Sequence, residues 1–308
     1  MKWYRHITVC FLNLYLSSVL FAINNKPISN IRYTEIGHVF SFCLDGGVSL
    51  CQYPETGLTK KKGITGGIHV EYAFFCNKFL GFAVDLGSFR WNNEISLFDK
   101  TYTWNNVYDT EGESYDHNVY LHSIKEQLTT YYIDIPLKIE LMLPLSKVGA
   151  LLSFGASPAL PVYNTSKTQA SLEHVGYYSQ YGMIIDVPKF GFYKSNNFRQ
   201  SYQNLKVGFQ VFALASLDFI ISLKDEVELF LGAEIRYGTL NMYRKTHKET
   251  IGFRNDSPQG DIYHPFMNNY SSLIKTTEVS NKLHPYTLSL RLGMRFNHYG
   301  IRKNGYAK

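Results

Sequence analysis

Strict alternation of apolar and polar residues recurs along this chain and constrains its fold more than any other feature. In "YYIDIPLKIELML", Tyr131 to Leu143, Ile133, Leu137 and Ile139 alternate with charged residues and a proline. A period of two places successive side chains on opposite faces of a β-strand. Similar patterns predict seven further strands, near 36–50, 64–76, 79–91, 148–162, 204–219, 227–238 and 285–296.

The face opposite the apolar one carries ionisable side chains in these predicted strands. The residues are Glu71, Asp85, Asp134, Lys138, Glu140, Lys206, Glu234, Arg236, Arg291 and Arg295, with Glu228 on the same face. A packed soluble core does not hold so many charges. Small residues share this face, as a narrow barrel interior requires. We therefore predict an internal salt-bridged network, with the apolar face toward lipid; an ion pathway or active site is the alternative.

The predicted connections differ in length at the two ends of the strands. Tight turns follow the second, fourth and sixth strands, whereas about 35 to 45 residues follow the third, fifth and seventh. This asymmetry favours an eight-stranded antiparallel transmembrane β-barrel over 36–296, all-β, with short periplasmic turns and long extracellular loops. The alternative is a soluble sandwich or lipocalin-like barrel, in which the apolar residues would point inward.

The N-terminus has the pattern of an export signal. Lys2 and Arg5 precede an apolar run from Ile7 to Ala22, and a polar stretch follows. We predict a cleaved signal peptide at 1–22, a linker at 23–35 and a tail at 297–308, with an uncleaved anchor helix as the alternative. The three cysteines of the mature chain, Cys43, Cys51 and Cys76, allow one disulfide. Export and the barrel pattern together predict location in the cell outer membrane.

The hairpin "YYIDIPLKIELMLPLSKVGALLSFGASPALPV" resembles the middle hairpin of the PorT-like outer-membrane β-barrel family of Bacteroidota. The segments "LFLGAEIRYG" and "YTLSLRLGMRF" resemble the last strands of that family. The resemblance implies an integral outer-membrane barrel without assigned catalytic residues, and some members belong to protein-secretion machinery. Two departures stand out: "NHYGIRKNGYAK" extends beyond the terminal Phe296, and the long loops place the function outside the barrel.

No motif in the chain specifies catalysis. His122 with Ser123, and Glu173 with His174, lie near predicted loop ends, but their spacing fixes no triad. No cofactor motif, metal-ligand spacing or strongly basic patch is present, and the net charge is only +6. We expect a protein that is not an enzyme, without cofactor, metal or nucleic-acid partner.

The predicted loops are rich in Tyr and Asn, which is typical either of a binding surface or of an aromatic belt at the membrane interface with solvated hairpin extensions beyond it. The expected partners are outer-membrane lipid and lipopolysaccharide, and envelope proteins bound through the loops. The bases between Arg244 and Lys248 could contact lipopolysaccharide phosphates, but a solvated charge cluster is the favoured interpretation of them. The first hypothesis is a structural or interaction barrel, an accessory to protein secretion or to a surface complex. A narrow solute pore and a lipid-modifying enzyme are the alternatives. We also expect Ile139→Arg to impair assembly more than Lys138→Gln.

Overall fold

A computed structural model describes residues 37–52, 58–109, 111–144, 148–187, 192, 194–203, 207–224, 227–242 and 283–299. These residues form twelve β-strands: β1 Gly37–Gln52, β2 Leu58–Lys61, β3 Gly63–Phe75, β4 Leu80–Tyr108, β5 Ser114–Asp134, β6 Leu137–Pro144, β7 Gly149–Tyr178, β8 Met183–Ile185, β9 Lys194–Gln203, β10 Gln210–Lys224, β11 Val227–Gly238 and β12 His284–Tyr299. Within the same residues, no helix is long and apolar enough to cross a membrane.

Eight strand positions close into a ring in which every neighbouring pair is antiparallel; we call each position a stave. The order around the ring is β1, β3, β4, β5 with β6, β7, β10, β11 and β12, and β12 pairs back with β1. β5 and β6 form one stave, interrupted where Pro136 has no N–H to donate. The ladder continues through the break, because Ile135 N–H donates to the Pro158 carbonyl at 3.0 Å. The predicted eight-stranded antiparallel barrel is confirmed.

A belt of exposed apolar side chains surrounds the part of the ring near the short turns. It includes Phe40, Phe42, Leu44, Ile68, Val70, Phe82, Val84, Leu86, Ile133, Ile135, Leu137, Ile139, Leu141, Phe154, Leu160, Leu217, Phe219, Ile235, Leu288, Leu290, Leu292 and Phe296. Leu290 is 67% exposed, far more than a soluble sheet would leave on so continuous a face. In lipid such a face is favoured, and the closed ring leaves no unpaired edge. This is the arrangement of a transmembrane β-barrel, and we call this part the membrane barrel.

Two of the long predicted loops are instead β-structure. β4 continues to Tyr108, turns at Asp109–Glu113 and returns as β5 from Ser114, while β7 continues to Tyr178. The prediction of loops after the third and fifth strands is therefore wrong. We call these extensions the distal sheet: residues 89–108 of β4, 114–132 of β5 and 161–178 of β7, with β2 beside β4 and with β8 and β9 beside β7.

Two β-bulges explain why the distal strands escaped the alternation pattern. In β5 the residues that point inward are even-numbered from Ile124 to Asp134. On the other side of the bulge at His122 they are odd-numbered, as Val119 and Leu121 show. In β7 the bulge at Val162 has the same effect. Because one extra residue exchanges the two faces of a strand, a window that crosses a bulge shows no single period.

The distal sheet has its own apolar core on the inner side. The core contains Cys51, Phe89, Trp91, Ile95, Leu97, Val119, Leu121, Ile124, Leu128, Tyr132, Ala159, Ala170, Leu172, Phe212, Met242 and Leu283. These side chains cover the mouth of the membrane barrel. The distal sheet thus places its apolar core on the inner side, together with buried polar side chains such as Glu126, Thr130 and Ser166, whereas the membrane barrel places its apolar side chains on the outside.

Several predicted boundaries move. The sixth barrel strand, predicted over 204–219, is Gln210–Lys224, and β12 runs three residues past Phe296 to Tyr299. The predicted signal peptide, the linker, most of the predicted tail and the bases at 244–248 lie outside the described residues. Cys43, Cys51 and Cys76 are all described, and no disulfide joins any two of them.

Candidate functional site

The charged residues that the sequence placed on the inward face lie inside the membrane barrel. Glu71, Asp85, Asp134, Lys138, Glu140, Glu234, Arg236, Arg291 and Arg295 are each at most 6% exposed. Lys206, the tenth, lies outside the described residues. The interior also contains Asp45, His69, Asp218 and Glu228. Asp218 was missed although it lies two residues from the inward-facing Ser216, so the same alternation would have found it.

Lys138 connects two acidic side chains from neighbouring staves. Its ammonium contacts a carboxylate oxygen of Glu71 and lies 2.9 Å from Asp85 Oδ2. Ser41 Oγ donates a hydrogen bond to the other oxygen of Glu71 at 2.9 Å. Strand register brings these residues together, since Glu71 is the partner of Asp85 across the β3–β4 pair and Ala83 is the partner of Lys138.

Arg236 connects a second group that lies closer to the distal sheet. Its guanidinium is 2.8 Å from Asp134 Oδ2 and 2.5 Å from Glu234 Oε1. A third nitrogen lies 3.2 Å from His69 Nε2, which is itself 3.1 Å from Asp45 Oδ1. The network therefore crosses the barrel lumen from β5 through β11 to β3 and β1.

The last strand supplies the two remaining arginines. Arg291 lies 2.7 Å from Asp218 Oδ2 and 3.8 Å from Glu234 Oε2. Arg295 lies 3.8 Å from Glu140 Oε2 and 4.0 Å from Glu228 Oε2. A charge buried without a partner costs several kcal/mol, so these ion pairs are what allows the charged groups to be buried away from water.

Glycines opposite the charged side chains leave the space that these side chains fill. A Cβ at Gly87 would lie 2.1 Å from His69 Nδ1 and 2.6 Å from Asp134 Oδ1. A Cβ at Gly232 would lie 2.0 Å from Asp218 Oδ1. A larger residue at either position would displace a carboxylate of the network.

Apolar layers close the network at both ends. On the distal side, the Arg236 guanidinium lies 4.9 Å from the centroid of the Phe89 ring, which packs against Tyr132 and Phe212 at 5.1 and 5.5 Å. Near the short turns, a second cluster contains Val39, Cys43, Ala73, Phe75, Ala83, Met142, Leu151, Ile220 and Phe230. The ionic layer is therefore held between two apolar layers.

Acids outnumber bases inside the described part of the membrane barrel. The acids are Asp45, Glu71, Asp85, Asp134, Glu140, Asp218, Glu228 and Glu234, and the permanent cations are Lys138, Arg236, Arg291 and Arg295. Eight carboxyl groups face four such cations and His69. Within the described residues, no group of three or more His, Cys, Asp or Glu side chains has the geometry to hold a metal ion.

The candidate catalytic residues do not form a triad in the described structure. His122 Nε2 lies 3.6 Å from Glu173 Oε2, but Glu173 is also 3.2 Å from Lys194 Nζ, and this group lies on the outer face. His174 instead points inward and lies 3.0 Å from His117. Burial lowers the pKa of His117 to about 4, so this histidine is neutral at pH 7.

The tip of the distal sheet is held by tyrosines. Asp109 caps the β4–β5 turn by accepting hydrogen bonds from the N–H groups of Glu111 and Glu113 at 2.9 and 2.8 Å. Its other oxygen accepts a hydrogen bond from Tyr178 at 3.0 Å, which ties the end of β7 to this turn. Burial, with the Asp109 charge, raises the pKa of Tyr115 to about 12.

No protein-family model and no curated protein matches the sequence. Ail, the attachment invasion locus protein of Yersinia pestis, solved in complex with the heparin analogue sucrose octasulfate, is similar at 11% identity, over 84% of this chain and 99% of that one, with a TM-score of 0.32. Neisserial surface protein A matches at 9% identity, over 83% and 96% of the two chains, with a TM-score of 0.32. The translocator domain of the autotransporter NalP from Neisseria meningitidis matches at 12% identity, over 94% and 97%, with a TM-score of 0.20. At these scores, the fold assignment rests on this chain's own strand pairing and burial.

Proposed function

We propose that this protein is an outer-membrane β-barrel whose membrane part is a closed anchor and whose interactions take place through the distal sheet. The barrel carries a complete apolar belt, and its first and last strands pair in register from Gly37 with Tyr299 onward. Both ends of the barrel chain therefore lie at the end with the short turns. In outer-membrane barrels that end faces the periplasm, so the distal sheet faces the exterior.

The observation that carries the anchor role is the burial of the interior charges. Lys138 is 3% exposed, Arg236 3% and Arg295 1%. A water-filled pore would expose such groups, whereas an eight-stranded barrel is only wide enough for its side chains to fill. The apolar layers that contain Phe89 and Phe230 close both ends of the same interior.

Planar-bilayer recording tests the anchor role directly. The full-length protein, refolded and inserted at high protein-to-lipid ratio, is expected to leave the membrane at its baseline conductance. Discrete, reproducible current steps that scale with the amount of inserted protein would overturn the anchor role and support the narrow pore instead.

Site-specific photocrosslinking tests where the partners bind. A photoreactive residue at Gln127 or Gln169, on the outer face of the distal sheet, is expected to capture envelope or surface partners in cells. The same residue at Leu290, in the lipid-facing belt, is the matched control and is expected to capture none. Equal capture at both places contradicts an interaction role for the distal sheet. An accessory role in protein secretion, which the PorT-like resemblance favours, predicts secretion components among the partners.

A further inference from the structure

The outer face of the distal sheet carries bases in adjacent rows of three strands. Lys125 on β5 is opposite Gln169 on β7, which is opposite Arg199 on β9. Lys167 lies in the next row, opposite Gln127. Neighbouring strands are about 4.8 Å apart, so Lys125 and Arg199 are about 10 Å apart at the backbone, with Lys167 between them one row below.

Two acids on the same face, Glu94 and Glu173, are already paired with other bases. Glu94 lies 3.2 Å from Lys61 Nζ, and Glu173 lies 3.2 Å from Lys194 Nζ. This leaves four exposed bases on the face with no carboxylate within ion-pair distance in the described part of the chain: Arg90, Lys125, Lys167 and Arg199. We call these four residues the cationic wall.

Two tyrosines mark the height of this wall above the membrane. Tyr131 and Tyr163 face outward as register partners with ring centroids 6.0 Å apart, and Arg90 lies in the same row. The apolar belt begins directly below, with Ile133 and Leu160 exposed. Outward tyrosines next to an apolar belt mark the membrane–water interface of a barrel.

Strand geometry then gives the height of the other bases. At about 3.3 Å per residue and a tilt near 40°, Lys167 lies roughly 10 Å and Lys125 roughly 15 Å above the tyrosine row. The polar headgroup layer of a phospholipid leaflet adds only about 5 to 8 Å to the hydrocarbon core. The upper bases therefore stand above phospholipid phosphates, at the level that the sugars of a glycolipid occupy.

We propose that the cationic wall binds the anionic saccharide headgroups of glycolipids in the surrounding outer leaflet. Three bases within about 10 Å of one another attract phosphate or carboxylate groups on one headgroup together, because this spacing is close to the Debye length at physiological salt. The neighbouring Gln127 and Gln169 offer amide groups to sugar hydroxyls. The inference rests on the proposed function, because it requires the distal sheet to face the outer leaflet.

The test titrates full-length protein in neutral detergent micelles with rough-type lipopolysaccharide, whose core saccharide is phosphorylated. The double variant Lys125→Gln with Lys167→Gln removes two bases of the wall. The double variant Lys61→Gln with Lys194→Gln removes the same charge from the same face but from paired bases, and is the matched control. We expect about tenfold weaker binding for the wall variant and less than about twofold for the control, with affinity falling as salt rises.

Three outcomes would overturn the inference. The first is an equal loss of affinity in both double variants, which would mean that only total charge matters. The second is equal binding to phosphatidylglycerol micelles, which lack the sugars. The third is equal binding to soluble dextran sulfate, which would make the wall a site for soluble polyanions. Migration of unboiled protein in gels shows that each variant retains the barrel, and protease access to the distal sheet on whole cells tests the proposed orientation separately.

Discussion

The membrane barrel and the distal sheet are built from the same strands but have opposite polarity. Along β4, Asp85 points inward and Leu86 outward at membrane level, and a few residues later Trp91 points inward and Arg90 outward. The inward positions are odd-numbered throughout this stretch. The strand geometry is therefore continuous, and only the chemistry of the two faces exchanges. The surrounding solvent, lipid below and water above, decides which face is apolar.

Each region buries what its surroundings disfavour. The distal sheet buries Leu128 and Ile124 completely, and the membrane barrel buries Lys138 and Arg295 almost completely. An apolar core needs only shape complementarity, whereas an ionic core needs every charge to find its partner. The two regions should therefore respond differently to the same kind of change.

Loss of one interior cation is expected to have the largest effect. Lys138→Gln leaves Glu71 and Asp85 buried without their shared cation, so the free energy of unfolding should fall by about 3 to 5 kcal/mol. Urea unfolding in phosphatidylcholine vesicles measures it. The neighbouring Leu137→Met, on the lipid face, is the control and should cost less than about 1.5 kcal/mol. From the sequence alone we expected Lys138→Gln to be milder than Ile139→Arg, and the ion pairs of Lys138 reverse this order. A fall of less than about 1 kcal/mol in the free energy of unfolding for Lys138→Gln would contradict the reversed order.

A cavity in the distal core should be nearly as costly but confined to the distal sheet. Leu128→Ala removes a fully buried side chain and should cost about 2 to 5 kcal/mol. The expected signs are faster cleavage of the distal hairpins by protease and a red shift in the fluorescence of the buried Trp91, with heat-modifiable gel migration unchanged. Loss of the folded barrel in this variant would mean that the two regions unfold as one.

Introducing an arginine at two outward positions of one stave compares the outer face of the membrane barrel with that of the distal sheet. Ile139→Arg places a charge in the lipid-facing belt and should cost about 2 to 4 kcal/mol, whereas Gln127→Arg, on the water-facing side of the distal sheet, should change stability by less than about 0.5 kcal/mol. The fraction of protein that inserts into vesicles measures both. Similar insertion of the two variants would contradict the change of polarity along this stave.

Acid should weaken the distal sheet before the membrane barrel. The folded-state pKa of His117 is about 4, below its ordinary value near 6.5, so the unfolded chain binds the proton more readily between these values. The stabilisation is complete above pH 6.5 and is lost as pH falls toward 4, by at most about 3 kcal/mol. Protease sensitivity of the distal hairpins against pH measures this, and His117→Phe should flatten the profile. A wild-type profile that is flat from pH 7 to 4 contradicts it.

The sequence predicted the membrane barrel well because lipid constrains every position there. From Ile133 to Leu143 the odd residues are exposed and the even ones described are buried, as alternation alone predicts. Where water replaces lipid that constraint is weaker, and the bulges at His122 and Val162 exchange the faces. Alternation also cannot pair residues across the lumen: the contact of Arg236 on β11 with Asp134 on β5 depends on how strands that are not neighbours face each other in the closed ring.

The position of the cations along the chain has a consequence for the order of assembly. Of the four permanent cations inside the described barrel, Arg236, Arg291 and Arg295 lie in β11 and β12. Among the described residues, the earlier strands contribute Asp45, Glu71, Asp85, Asp134, Glu140 and Asp218 and a single permanent cation, Lys138. A chain that stops before β11 would thus lack the arginines that contact Asp134, Glu140 and Asp218. β11 and β12 also add Glu228 and Glu234, so carboxyl groups still outnumber the permanent cations eight to four in the described barrel. What the last two strands supply is specific partners, because acids placed early in the chain meet their arginines only when these strands are in position.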